Sequence, residues 1–103
     1  MIKVDIRTVN DKIESIKISG HAGYDVYGKD IVCSAVSSIT ITTVNAILKL
    51  DSKAIDYVQD EDLIINVKNH DKVTLVLIQN MIDLLQELEK DYKKNIKINR
   101  EVS

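Results

Sequence analysis

The residues that most often interrupt regular structure are confined to one short stretch of this chain. The sequence has no proline, and its three glycines, Gly20, Gly23 and Gly28, lie within nine residues. Glycine permits backbone conformations and close approaches that other residues resist. The sequence therefore predicts one flexible loop, from Gly20 to Gly28, in a chain that otherwise has no visible linker. We interpret residues 1–103 as a single domain.

Apolar residues alternate with polar ones on both sides of Asn10-Asp11. Alternation at period two indicates a strand with one buried face, and Asn-Asp is a turn signal. The sequence therefore predicts a hairpin with strands over residues 1–9 and 12–19. The alternating apolar positions are Ile2, Val4, Ile6, Ile16 and Ile18.

Two longer segments have the period of an amphipathic helix. The clearer one covers residues 72–91, with Asp71 as its N-cap, and its apolar stripe indicates core or partly a dimer interface. The other runs from about Asp30, a second N-cap candidate, to Leu50. Its β-branched residues 39–44 would suit a strand by propensity alone, but the helical period continues along the whole segment. The predicted apolar positions are Val32, Val36, Ile39, Thr43, Ala46, Ile47 and Leu50 for the first helix, and Leu77, Ile78, Met81, Leu84, Leu85 and Leu88 for the second.

Three further short strands complete the predicted order. They lie near residues 55–59 and 62–68, with Asp60-Glu61 at the tip between them, and over residues 95–99. The order ββαββαβ predicts an α+β fold, a small mixed sheet with two long helices packed on one face.

Charge and apolar patterning limit the partners that we expect. The net charge is −2, and the 14 basic residues form no block or stripe, so nucleic acid is not expected as a direct partner. No uninterrupted apolar run reaches the roughly 18 residues of a membrane span, and no signal-peptide pattern is visible. We therefore expect no membrane association and a cytoplasmic location.

The predicted loop lies between a histidine and the only cysteine of the chain. A thiol nucleophile reacts as the thiolate, which a helix N-terminus and a nearby imidazolium both favour. Cys33 falls in the first turn of the first predicted helix, and His21 falls at the end of a strand. Asp30 and Ser37 share a polar helical face with Cys33, which predicts that the thiol points toward the loop.

Each of these residues also has an alternative role. Cys33 could be an inert core thiol, and His21 could hydrogen-bond the backbone at a strand end. Asp30 suits an N-cap as well as a support for His21, and Ser37 could be a surface hydroxyl. His70 is interpreted as a solvated residue in a polar turn. One cysteine and two distant histidines do not resemble a zinc site, so we expect no metal and no cofactor.

The segment around the predicted loop also carries a family resemblance. Before the loop stands Gly20-His21-Ala22, and after it stand Gly28-Lys29-Asp30-Ile31-Val32-Cys33 and then Ser34, Ala35, Val36 and Ser37. This arrangement resembles the signature of the ribosomal-processing cysteine protease Prp family. The resemblance extends over nearly the whole chain, and Ser34 departs from it where the family commonly has Ala.

The resemblance implies an enzyme, a thiol protease of the hydrolase class that acts in ribosome biogenesis. Such proteins remove a short N-terminal extension from the precursor of large-subunit ribosomal protein L-twenty-seven, cleaving after an aromatic residue. It assigns Cys33 as nucleophile and His21 as base, with supporting roles for Asp30 and Ser37. It also implies a homodimer and movement of the loop bounded by Gly20 and Gly28.

Two other functions compete with proteolysis. A non-catalytic ribosome-associated binding or assembly module would suit the small size, but it would not explain glycines gathered around a cysteine and a histidine. A redox-sensing thiol would lack a second cysteine in the same chain to resolve a sulfenic acid. The acidic run Asp60-Glu61-Asp62 is interpreted as a solvated turn, with attraction of a basic ribosomal protein as the lesser alternative.

Overall fold

The structure, a computed structural model, describes residues 1–20 and 31–103. Its elements follow the predicted order ββαββαβ. In chain order they are β1 (Ile2–Val9), β2 (Lys12–Ser19), α1 (Ile31–Leu50), β3 (Ile55–Gln59), β4 (Leu63–Val67), α2 (Lys72–Asp91) and β5 (Ile96–Val102).

The five strands form one mixed sheet in the order β3-β4-β2-β1-β5. Strands β1 and β5 pair in parallel, whereas β1–β2, β2–β4 and β3–β4 pair antiparallel. Strand β2 therefore lies in the middle of the sheet, and its last residues lie beside the turn between β3 and β4. The end of β2 therefore lies beside the start of β4, and α1 is the next element of the chain after it.

One face of the sheet is apolar and carries both helices. Along β1, Ile2, Val4 and Ile6 are buried, and the residues between them are exposed. Their neighbours on the adjacent strands form a single core cluster with the inner faces of α1 and α2. The predicted α+β architecture, with two helices on one face of a small mixed sheet, is confirmed.

The turn between β1 and β2 explains the hairpin. Asn10 and Asp11 both have positive φ angles, 50° and 65°. Asn and Asp tolerate this left-handed region better than most residues, and a two-residue turn of this kind matches the twist of antiparallel strands. A register shift between Arg7 and Thr8 interrupts the pairing with β2.

Helix α2 begins where its N-cap was predicted. The backbone N–H of Thr74 donates a hydrogen bond to Asp71 Oδ1 at 2.8 Å, and this bond lowers the pKa of Asp71. The predicted apolar stripe needs one correction, because Leu84 is 40% exposed whereas Ile82 is fully buried. The buried residues of α2 are Thr74, Ile78, Met81, Ile82 and Leu85.

Helix α1 buries a face that is rotated slightly from the predicted one. Val32, Val36 and Ile47 are buried as expected, but Leu50 is 68% exposed and Thr40 is fully buried. The difference arises because the buried positions advance by four residues from Val32 to Val44, so the face passes through position 40 instead of 39 and 43. Residues Ile39, Thr43 and Ala46 are half-buried.

By length and composition, α1 is also apolar enough to cross a membrane. A helix that packs in the core of a soluble protein has the same properties, and α1 contributes five residues to the buried face. These five residues account for part of the apolar composition of α1, since 28% of its apolar window is buried.

The last strand is longer than the predicted segment of residues 95–99. Strand β5 continues to Val102 because it pairs in parallel with β1 from Ile96 to its end. The residues after Ile98 are exposed at the edge of the sheet, so they lack the alternation that would have indicated a strand. The strands predicted near residues 55–59 and 62–68 are confirmed as β3 and β4.

Candidate active site

Cys33 lies in the first turn of α1, which begins at Ile31. It is half-buried and packs against the edge of the hydrophobic core. The backbone amides of a first helical turn favour a nearby negative charge, and no acidic residue lies in the first turn of α1. A thiolate at this position is therefore favoured by the helix and meets no opposing charge from its own turn.

Ser37 lies one helical turn after Cys33 and is exposed. Residues four apart lie on the same side of a helix, so Cys33 and Ser37 share one side of α1, as the sequence predicts. The prediction that the thiol points away from the core needs refinement, because Cys33 also contacts the core cluster. The cysteine lies at the boundary between the core and the exposed side of α1.

Gly20 ends the central part of the sheet and directly precedes His21 in the sequence. Its φ angle is +81°, and a Cβ atom built on it would overlap the carbonyl oxygen of Met1. Only glycine accommodates both the left-handed backbone and this close approach. The remaining predicted site residues, His21, Gly23, Gly28 and Asp30, lie outside the described residues.

A pocket of about 110 Å³ lies between the end of β2, the second and third turns of α1 and the turn between β3 and β4. It joins Gly20 and Ser37, two predicted site residues, to the acidic run Asp60-Glu61-Asp62. Among the described residues, its lining is Ile18, Ser19, Gly20, Val36, Ser37, Thr40, Gln59, Asp60, Glu61, Asp62 and Leu63. A larger hollow of about 380 Å³ lies on the β5 side of the sheet, by Lys93 and Ile96, and its described lining does not include Cys33.

Thr40 is the lining residue that the sequence analysis missed. It is fully buried, and its Oγ1 has no hydrogen-bond partner among the residues that the structure describes. Thr43 on the same helix instead donates its hydroxyl to the carbonyl oxygen of Ile39 at 2.9 Å. The signal that could have identified Thr40 was its place in the four-residue series of Val32, Val36 and Val44.

Two further side chains bear on the predicted chemistry. His70 is not solvated as predicted, because its side chain is 24% exposed and its Nε2 lies 3.1 Å from Glu14 Oε1. This pair lies on the β2–β4 side of the sheet, where β4 leads into α2. Within residues 1–20 and 31–103, no group of three or more His, Cys, Asp or Glu side chains is arranged to hold a metal ion.

Comparison with known proteins identifies the family of this chain. A family model described as cysteine protease Prp matches residues 1–97. The chain belongs to the Prp family of cysteine proteases. The ribosomal processing cysteine protease Prp of Staphylococcus aureus (strain Mu50 / ATCC 700699) is 37% identical over 105 residues, covering 96% of this chain and 98% of its own length. Prp of Bacillus subtilis (strain 168) is 32% identical over 108 residues, covering 95% and 96%.

The Prp fold is also shared in three dimensions. A crystal structure of the essential ribosomal processing protease Prp from S. aureus, in complex with a covalently linked product peptide, matches with a TM-score of 0.91. The sequence identity in that comparison is 32%, and it covers 98% of this chain and 100% of that chain. As a member of the Prp family, this chain is a cysteine protease.

Proposed function

We propose that this cysteine protease is an endopeptidase that removes a short N-terminal extension from large-subunit ribosomal protein L-twenty-seven, cleaving after an aromatic residue. The support is the match over nearly the full length to relatives that are named ribosomal processing cysteine proteases. The match covers nearly the full length of this chain and of each relative, so the whole catalytic domain of those relatives has a counterpart in this chain.

The position of the only cysteine carries the proposal. A cysteine protease needs a thiol as its nucleophile, and this sequence contains a single cysteine. Cys33 lies in the first turn of α1, where helix amides favour the thiolate. We therefore assign Cys33 as the nucleophile, and His21, which follows the end of β2, as its base.

The proposed reaction follows the usual order of covalent proteolysis. His21 takes the proton from Cys33, and the thiolate attacks the scissile carbonyl carbon, forming a C–S bond and an oxyanion. Backbone amides at the beginning of α1 donate hydrogen bonds to that oxyanion. The imidazolium of His21 then protonates the leaving amine as the C–N bond breaks, and water hydrolyses the acyl-enzyme. Asp30 orients His21 or caps α1, and Ser37 supports the same side of the helix.

Removal of either proposed catalytic group tests this assignment. Cys33→Ala and His21→Ala are each expected to lower kcat/KM by about a thousandfold or more, on a peptide that copies the extension of the ribosomal protein. Ser34→Ala is the matched control, because Ser34 is exposed in the same helical turn and the family commonly has Ala there. Full activity of either test variant would end the assignment. Co-purification with the ribosomal protein without cleavage would favour a binding module instead.

The rate of iodoacetamide labelling of Cys33 against pH separates an activated thiol from an inert one. We expect the labelling rate to rise at a lower pH in the wild type than in His21→Ala, because the imidazolium stabilises the thiolate. Identical profiles would show that His21 does not activate the sulfur. Rapid loss of labelling in dilute peroxide, without protease activity, would favour a redox role.

A homodimer in the cytoplasm is the assembly and location that we propose. Both helices carry exposed apolar side chains on their outer surfaces, including Ile41 on α1 and Val73 and Val76 on α2. A second copy of the chain would cover such residues and remove them from water. Light scattering of the purified chain should then give twice the monomer mass, and a monomer at working concentrations would contradict this assembly.

A further inference from the structure

The pocket between β2, α1 and the β3–β4 turn has an acidic rim. Asp60 and Glu61 are exposed at the turn, and neither takes part in the ion pairs found within residues 1–20 and 31–103. Asp62 pairs with Lys17 Nζ at 3.5 Å on the side of the sheet away from the helices. The described lining contains no lysine, arginine or histidine. The rim therefore presents uncompensated negative charge toward the pocket.

The inner wall of the same pocket holds a buried hydroxyl with no described partner. Thr40 lines the pocket, is fully buried, and its Oγ1 is left without a hydrogen bond in the described part of the chain. Buried polar groups in native proteins are nearly always hydrogen-bonded, so an exception calls for a ligand or another partner. Thr43 shows that this helix can satisfy a threonine through its own carbonyl groups. Because the hydroxyl of Thr40 makes no such bond to the described residues, it can form a hydrogen bond with a group that enters the pocket.

The distance between Cys33 and the pocket matches the distance between the scissile bond of a bound peptide and a residue close to that bond. Ser37 and Thr40 follow Cys33 by four and seven residues, which corresponds to about 6 Å and about 10 Å along a helix axis. An extended peptide advances about 3.3 Å per residue. A substrate side chain two or three residues from the scissile bond would therefore reach the pocket.

We propose that this pocket is a substrate subsite that receives a lysine or arginine side chain, located two or three residues from the bond that Cys33 cleaves. The inference rests on the proposed proteolytic function and adds a charge preference to it. The carboxylates of Asp60 and Glu61 neutralise the cationic group, and Thr40 Oγ1 accepts a hydrogen bond from it. Two carboxylates and a hydroxyl match a cation that carries several N–H donors.

A divalent cation fits the same residues less well. Metal ions require several oxygen ligands converging at short distances, and the carboxylates of the run form no such group among the described residues. A lysine or arginine side chain needs only that its donors reach acceptors on the rim and at the base of the pocket. The lack of such a ligand group among the described residues therefore favours a peptide side chain.

The test compares two series of peptides that differ only in one charge. In a neutral peptide that the enzyme cleaves, each position flanking the scissile bond is replaced in turn by lysine or by uncharged norleucine, which has a similar apolar stem. The wild type is expected to favour lysine by about fivefold in kcat/KM at one position two or three residues from the bond. The preference should weaken as salt is added, because the rim is exposed.

Three variants connect that preference to the pocket. Asp60→Asn with Glu61→Gln should abolish it, and Thr40→Val, which keeps the volume of the side chain, should reduce it. Glu87→Gln with Asp91→Asn is the matched control, since it removes the same net charge from exposed positions of α2 and should keep the preference. Equal loss in the control variant would mean that the preference comes from overall charge, and would overturn the subsite.

The outcomes separate this inference from the function on which it rests. Cleavage of all peptides with no preference for lysine at any position overturns the subsite and leaves the protease intact. Absence of cleavage by the wild type overturns the proposed proteolysis. In that case fluorescence anisotropy of the same peptides with Cys33→Ala measures the pocket directly, and equal affinity for lysine and norleucine overturns the subsite as well.

Discussion

Helices α1 and α2 have the same length, 20 residues, and each buries one threonine, but the two hydroxyl groups differ. Thr74 on α2 bonds to the Asp71 carboxylate through both its backbone N–H and its side chain. Thr40 on α1 has no described partner and lines the pocket near Cys33. The hydroxyl of Thr74 therefore bonds at the N-terminus of its own helix. The hydroxyl of Thr40 has no hydrogen-bond partner in the described part of the chain.

The connections that lead into the two helices differ in the same way. Asn69 Nδ2 donates to Asp51 Oδ2 and to Asp71 Oδ2, at 3.2 Å each, and so links the N-terminus of α2 to the residue after α1. The chain that leads toward α1 leaves the sheet at Gly20, in a conformation that only glycine accepts readily. The start of α2 is thus stabilised by local side-chain bonds, and the start of α1 adjoins the segment that carries the predicted chemistry.

The largest expected effects on stability concern the core side chains of the two helices. Leu85→Ala on α2 is expected to lower the free energy of unfolding by about 3 kcal/mol, because a fully buried leucine leaves a cavity. Val44→Ala on α1 removes only two methyl groups and should cost about 2 kcal/mol. Urea unfolding measures both values, with Asn80→Ala, at an exposed position of α2, as a control expected within about 0.5 kcal/mol of the wild type. A larger cost at Val44 would reverse the comparison.

Helix α2 could be predicted almost completely from the sequence, whereas α1 could be predicted only in part. Residues 72–91 and the cap at Asp71 follow from local patterns, namely an apolar stripe with charged residues opposite and a good N-cap. In α1 apolar residues occur on most sides, so the period alone did not decide whether Ile39 or Thr40 faces the core. Tertiary packing against the sheet made that choice, and no local propensity encodes it.

The candidate site shows the same limit. The position of Cys33 in a first helical turn was predicted from helical spacing and capping, both local properties. The pocket was not predicted, because it depends on β4 pairing with β2 and bringing residues 60–62 next to Gly20 and Ser37. Contacts between segments that are far apart in sequence carry no local signal, so the sequence indicated only a solvated turn for the acidic run.

The two buried threonines provide a sharper and smaller test. Thr40→Val is expected to raise the free energy of unfolding by about 1 kcal/mol, since it replaces a hydroxyl that lacks a described partner with a methyl group. Thr74→Val is expected to lower it, since the Asp71 carboxylate loses a hydrogen bond. Thermal or urea unfolding of both variants in the same buffer gives the comparison. Destabilisation of similar size at both positions would show that Thr40 is satisfied within the folded chain.

The smallest expected effect is the pH dependence that Asp71 gives to α2. Hydrogen bonds from the backbone N–H and then the side chain of Thr74 lower its pKa from the usual 3.8. A lowered pKa in the folded state means that the native protein binds fewer protons there than the unfolded chain does. The stabilisation is therefore complete above the unfolded value and is lost as the pH falls through the folded value.

Asp71→Asn isolates this titration, because asparagine also caps helices but carries no charge. From about pH 5 downward, the stability advantage of the wild type over the variant should shrink as the Asp71 carboxylate is protonated. Added salt should reduce the advantage above that pH, since the position is exposed and the charge acts partly on the helix dipole. A difference in urea midpoint that stays constant through acidification would mean that α2 relies on the geometry of the cap alone. The difference between α1 and α2 would then lie in how their buried threonine hydroxyls are hydrogen-bonded, and the charge of Asp71 would not contribute to it.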